Sequence, residues 1–205
     1  MVLASSTIIE NIASMRKIGL ASLAFFYCDF REDEKRDLRG LLSSVLVQLC
    51  HQSDSYCQIL SAFYLEHANG SKHPSDHELM RCLKDILGSP GQAPVYLIVD
   101  GLDECSNTSA MLSPREKILM LFEDLVKSQL PNLRICVTSR PETDIKSALD
   151  PLVFRSISLQ DESEQRKDIE NYIKSVISTD QKMRRWKAAD KELVVDVLIR
   201  RSDGM

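Results

Sequence analysis

The run Val95-Tyr-Leu-Ile-Val99 is apolar at every position and is followed at once by Asp100-Gly-Leu-Asp-Glu104. A half-buried strand alternates apolar and polar side chains, so an unbroken apolar run of this length predicts a strand covered on both faces, as in the middle of a parallel sheet. Ligands of open α/β sheets bind at the carboxyl ends of such strands, which puts Asp100 at a crevice and Asp103 and Glu104 on a turn that Gly101 keeps tight. A carboxylate at that end can hold magnesium, directly or through water, while the metal bridges nucleotide phosphates. Asp103 or Glu104 could orient or deprotonate an attacking water. The bland alternative is a strand that ends in an acidic, solvated turn; Asp-Gly-x-Asp-Glu is a more specific pattern than the single Asp which that reading needs.

Three further runs have strand character: Leu23-Ala-Phe-Phe-Tyr27, Leu133-Arg-Ile-Cys-Val137 and Val153-Phe-Arg-Ser-Ile-Ser158, the last alternating as an edge strand does. Between them lie helical stripes. Leu38, Leu41, Leu42, Val45, Leu46 and Leu49 make one; Tyr56, Ile59, Leu60, Phe63 and Tyr64 a second; Leu79, Leu83, Ile86 and Leu87 a third. Ile118, Leu121, Phe122, Leu125 and Val126 follow the acidic turn, and Ile169, Tyr172, Ile173, Val176 and Ile177 follow the fourth run. Ser75 with Glu78, Ser113 with Glu116 and Asp161 with Glu164 are spaced as helix caps, and Pro114 takes the favoured first helical position. Strands alternating with amphipathic helices give an α/β fold, a parallel sheet flanked by helices. Beyond Thr179 the pattern is helical only, with Leu193, Val194, Val197 and Leu198 on one side of the last segment, so the sheet domain is expected over residues 1–179 and the start of a helical appendage over 180–205.

A chain of 205 residues with 43% hydrophobic and 27% charged residues fits one substantial globular domain with an appendage. The net charge of −4 comes without a basic stripe, which argues against a nucleic-acid partner. No run approaches the roughly 20 apolar residues of a membrane span, and no secretory leader is evident at Met1, so a cytoplasmic protein without a membrane partner is expected. The six cysteines show no C-x-x-C spacing and are expected to be reduced and buried. Cys105 follows the acidic turn, whose carboxylates are expected to raise its pKa. His73 and His77 stand four apart across a loop-to-helix junction without an evident third ligand, so a metal there is the weaker reading. Arg184, Arg185 and Lys187 around Trp186 read as a solvated or cation-π-packed face.

In Leu133-Arg-Ile-Cys-Val-Thr-Ser-Arg-Pro-Glu142 a strand runs into Thr138, Ser139 and Arg140. Beside the acidic strand these side chains would emerge at the same crevice, where a guanidinium can read a terminal phosphate. Val-Asp-Gly-Leu-Asp-Glu-Cys and Val-Thr-Ser-Arg-Pro, one helix apart, resemble the Walker B and sensor 1 motifs of NACHT domains, signal-transducing P-loop nucleotidases of the STAND class. They are most similar to the nephrocystin-like N-terminal proteins abundant in fungi. Ser-Thr-Ile-Ile-Glu-Asn-Ile, Leu-Ala-Phe-Phe-Tyr-Cys-Asp-Phe-Arg and Leu-Leu-Ser-Ser-Val-Leu-Val-Gln-Leu extend the likeness over nearly the whole chain.

The resemblance implies that Asp100 is the magnesium carboxylate, Asp103 or Glu104 the water-activating acid, and Arg140, with Thr138 and Ser139, the nucleotide sensor, with ATP or GTP and magnesium as cofactors. The chain departs from that family in one respect. The phosphate-wrapping string G-x-x-x-x-G-K-[ST] occurs nowhere in it. Met1 to Ile12 already reads as the helix that follows such a loop, so the chain is expected to begin after the loop and to lack the family's first, central strand. Ser202-Asp-Gly-Met205 is expected to continue into further helices. Leu133–Val137 and Val153–Ser158 should then face a gap, or pair with one another. Two functions follow: a fragment of a NACHT-type nucleoside triphosphatase with weak or absent turnover of its own, or a non-enzymatic interaction piece that associates with itself or with full-length relatives.

Overall fold

The computed structural model describes residues 2–32, 35–108, 111–158, 162–180 and 182–202. Two compact units divide at Val153/Phe154. The first opens with helix α1 (Val2–Lys17) and strand β1 (Ser22–Tyr27). Three helices follow, α2 (Leu38–Cys50), α3 (Asp54–Glu66) and α4 (Asp76–Leu87), before strand β2 (Val95–Asp100). Helix α5 (Pro114–Lys127), strand β3 (Leu133–Val137) and the short helix α6 (Thr143–Leu149) complete the unit. The second unit holds α7 (Glu162–Thr179) and α8 (Ala188–Ser202).

The sheet is parallel, in the order β1-β2-β3, with Ser22 beside Val95 and Val95 beside Leu133. Strand β2 is the central one, as its apolar run requires. Leu97 and Val99 on one face join Ala24 and Phe26 in the main core under α2 to α5, while Ile98 on the other joins Ile12, Ala21 and Leu23 beneath α1. Covering both faces is what makes every position of the run apolar. The six residues of the α2 stripe are all buried, as are Leu79, Leu83, Ile86 and Leu87 of α4 and four of the five α5 residues; Val126 is exposed. In α3 Tyr56 and Phe63 are buried and Tyr64 is not.

The two edges of the sheet are treated differently. Along β1 the side-chain amides of Gln48, on the last turn of α2, and Gln52, in the turn just past its end, bind the strand as a neighbouring strand would. Phe25 N–H donates to Gln48 Oε1 at 3.0 Å and Gln48 Nε2 donates to Phe25 O at 2.7 Å. Leu23 and Gln52 repeat the exchange at 2.8 and 2.6 Å. Among the described residues, strand β3 has a strand neighbour on one side only. Leu133, Ile135 and Val137 point their side chains at the main core, and by the alternation of a parallel ladder the backbone of Ile135 and Val137 faces the other edge. Those groups have no partner among the described residues.

Val153–Ser158 is not a strand, contrary to the expectation from its alternation. Val153, Phe154 and Ile157 are all exposed. An alternating pattern makes a segment able to pair without making it pair, and these residues straddle the division between the two units. In the second unit Ile177 and Ile199 are buried, whereas Leu193, Val197 and Leu198 are exposed, so the apolar side of α8 is narrower than its sequence suggests. The proposed Asp161–Glu164 cap and the end at Ser202–Met205 fall on residues outside the description, wholly or in part.

The other two caps form as expected. Ser75 and Ser113 each accept from the amide three residues on and are reciprocated by Glu78 and Glu116. The Ser75 amide and hydroxyl hold the Glu78 carboxyl down at about 2. A carboxyl depressed on folding stabilises above its unfolded pKa, about 4.3 for Glu, and loses that contribution as pH falls towards the folded value. Glu78→Gln is therefore expected to be less stable than the parent above about pH 5, with the difference closing by about pH 2, in urea unfolding measured across that range.

Candidate functional site

The carboxyl ends of β2 and β3 lie side by side because the ladder that pairs Val99 with Val137 carries both chains out of the sheet together. Three backbone or near-backbone ties continue it. Thr138 N–H donates to Val99 O at 2.9 Å, Leu102 N–H to Thr138 O at 3.0 Å, and Gly101 N–H to Thr138 Oγ1 at 3.1 Å. The Thr138 hydroxyl in turn donates to Asp100 Oδ1. Asp100 is buried, so this bond fixes the rotamer of its carboxylate. Cys28 N–H binds the Asp100 carbonyl at 2.9 Å, joining the end of β1 as well.

Gly101 has φ +72°, a left-handed conformation that turns the chain out of the strand into a single 3-10 turn, Leu102–Glu104. That turn delivers Asp103 to the Ser-Arg-Pro loop. Arg140 N–H donates to Asp103 Oδ1 at 2.9 Å, and Arg140 Nε stands 3.4 Å from Asp103 Oδ2. The Asp103 side chain is 6% exposed and that of Arg140 78%, so a shielded carboxylate holds a guanidinium whose outer side is open to water. Asp100, Thr138, Asp103 and Arg140 are thus brought together. Glu104 is half-buried on the same turn, and the Ser139 hydroxyl is spent on the Arg140 carbonyl at 2.9 Å.

Arg115, on the first turn of α5, escaped the reading of the sequence. It is 5% exposed. Its Nε donates to Cys105 O at 3.0 Å and one terminal nitrogen to Asp103 O at 2.6 Å, while the other binds Glu142 and, at 3.1 Å, Asp144 Oδ2. Burial raises the Asp144 carboxyl, but the hydrogen bonds from Arg115 and the backbone, together with the Arg115 charge, outweigh it and leave the group below its ordinary value. The signal was present: Arg115 stands three and seven residues before Ile118 and Phe122, in phase with the buried stripe.

The cysteines are free; Cys28, Cys82 and Cys105 are buried, Cys50 and Cys136 half-buried, and Cys57 exposed, which corrects the expectation of burial for that residue. The expected rise at Cys105 is reversed. A hydrogen bond from Cys28 and the nearby Arg115 guanidinium lower its thiol against the opposing effects of burial, Asp37 and Glu104. The hydrogen bond with Cys105 and then burial, with Asp100 and Glu104 adding to them, push the Cys28 thiol up. His73 lies in the loop before α4 and His77 on its first turn, and among the described residues no group of three or more histidines, cysteines and carboxylates is placed to hold a metal ion. Nor is any helix there long and apolar enough to cross a membrane.

Residues 2–140, about two thirds of the chain, match the family model described as "Nephrocystin 3, N-terminal". That span contains β1, β2, β3, the acidic turn and the loop as far as Arg140. No curated protein and no solved structure matches the chain significantly.

Proposed function

This chain belongs to the nephrocystin 3 N-terminal family, and on that premise we propose that it carries the magnesium and sensor half of a NACHT-type nucleotide switch, with little turnover of its own. The observation that carries this reading is the meeting of Asp100, Thr138, Asp103 and Arg140 at the carboxyl ends of two neighbouring parallel strands. In it, Asp100 holds the metal and Thr138 keeps the Asp100 carboxylate in place. Asp103 or Glu104 orients a water or takes its proton. Arg140 reads the terminal phosphate of ATP or GTP, for which its guanidinium must turn away from Asp103 while its N–H stays.

The donor set fits magnesium of one kind only. A single buried carboxylate with one oxygen engaged suits an ion that keeps several waters and takes its remaining ligands from phosphates, as magnesium does, and not a metal caged by protein. Bound there, magnesium would neutralise phosphate charge and hold the phosphates in line. The chain has no G-x-x-x-x-G-K-[ST] string to supply the usual backbone cradle, which is why weak binding and slow hydrolysis are proposed. The nucleotidase-like core is assigned to residues 1–179, the helical appendage to 180–205, and the location to the cytoplasm, with neither nucleic acid nor membrane as partner.

A second reading is favoured by the open edge of β3. With β1 capped by glutamines, β3 is where another strand can add, and the chain would then act as an interaction piece for a second copy or a longer relative. Calorimetric titration of the 205-residue protein with ATP or GTP, with and without magnesium, separates the two. Magnesium-dependent binding supports the switch reading. Absence of binding together with concentration-dependent association by light scattering supports the second.

A further inference from the structure

The acidic turn and the Ser-Arg-Pro loop belong to different strand exits, yet one buried side chain touches both. We propose that Arg115 is a positioning residue that joins the two into one rigid body, so that Asp103 and Arg140 keep their registration when the Arg140 guanidinium moves. The guanidinium spans the site from beneath: two of its nitrogens bind the carbonyls of Asp103 and Cys105, on the turn, and the third binds the carboxylates of Glu142 and Asp144, at the start of α6. Asp144 also accepts from Asn107 at 2.9 Å, and Asn107 accepts from Ser113 at 3.2 Å, so the segment after the turn and the cap of α5 are drawn into the same network.

The chemistry requires arginine. Four acceptors lie around one planar fork, and the lysine ammonium, a point donor on a flexible stem, cannot reach both carbonyls and both carboxylates at once. A 5% exposed cation needs those partners, and the carbonyl of buried Cys105 needs a donor in turn. Of the direct links between the two exits, the Asp103–Arg140 ion pair is weak, because its guanidinium half is 78% exposed and open to competition from solvent and anions, and the Arg140 N–H and Thr138 bonds do not extend to Glu142 and Asp144 at the start of α6. Arg115 supplies the fixed half of the joint and leaves Arg140 free to exchange partners. That use of the joint rests on the nucleotide reading; the joint itself does not.

The test is hydrogen exchange followed by mass spectrometry on the nucleotide-free 205-residue protein, comparing the parent with Arg115→Lys, Arg115→Met and the double variant Glu142→Gln/Asp144→Asn. Loss of the charge-assisted bonds made by a buried guanidinium is expected to speed exchange by at least about tenfold in Arg115→Met, in the peptides covering 101–108 and 138–147 together. Arg115→Lys should fall between the two, and the β1 and α2 peptides should keep the parent's rates. Equal acceleration across the whole chain, acceleration of only one of the two segments, or no change would overturn the proposal. Should Arg115→Met fail to fold, the double variant decides in its place: it keeps the cation and its carbonyl bonds, is expected to speed exchange in 138–147 first, and overturns the proposal if that segment is unaffected. Because no nucleotide is present, a failure of the nucleotide reading leaves these outcomes unchanged.

Discussion

Asp100→Asn is expected to lower magnesium-dependent nucleotide affinity by at least about a hundredfold, the upper end of what loss of a supporting group costs at a metal site, since here a ligand itself is lost. The substitution isolates charge from structure. Asparagine keeps an oxygen where Thr138 donates, so the junction of β2 and β3 persists and urea unfolding should show stability equal to or above that of the parent. Asp100→Ala removes the acceptor as well, leaving the half-buried Thr138 hydroxyl short of a partner, and is expected to cost about 1–3 kcal/mol in addition. Calorimetry on both variants reads the first effect and unfolding the second. If Asp100→Asn binds as the parent does, the metal site is elsewhere.

The second large effect is at the opposite side of the sheet. Gln48→Ala/Gln52→Ala removes both side chains that occupy the edge of β1, and with them four hydrogen bonds to Leu23 and Phe25. Water can replace some of these bonds, so the expected loss is about 2–4 kcal/mol and not the full desolvation cost of four backbone groups. The variant should also associate, because it then offers two strand edges where the parent offers one. Urea unfolding measures the loss and light scattering the association. A monomeric variant with the parent's stability would show that the glutamine contacts are incidental.

Much of this architecture is written in periodicity. The β2 run, the six α2 residues and the two serine capping boxes are local patterns whose physical meaning does not depend on distant partners. The same logic placed Asp100 and Thr138 at neighbouring strand ends, since a helix between two strands of a parallel sheet brings their carboxyl ends to one side. What escaped were features decided by a partner. Val153–Ser158 alternates, but alternation alone does not seat a segment on a sheet edge, even an open one such as that of β3. Cys105 sits among carboxylates in sequence, whereas Cys28 and Arg115 reach it from other elements and reverse the expected direction. Gln48 and Gln52 look like ordinary polar residues near a helix end, and only the register of α2 against β1 gives them their work. Arg115 was the one missed residue with a readable sign, a charge in phase with a buried stripe.

The most direct measurement of the central claim replaces magnesium by manganese. In the presence of ATP or GTP, a paramagnetic ion held by Asp100 should broaden the amide resonances of Asp100, Gly101, Asp103 and Thr138 to Arg140 in a two-dimensional NMR spectrum, while those of α3 stay sharp. Asp100→Asn should abolish the broadening. Broadening spread evenly over exposed carboxylates, or centred away from the ends of β2 and β3, would contradict the assignment of a nucleotide site to this chain.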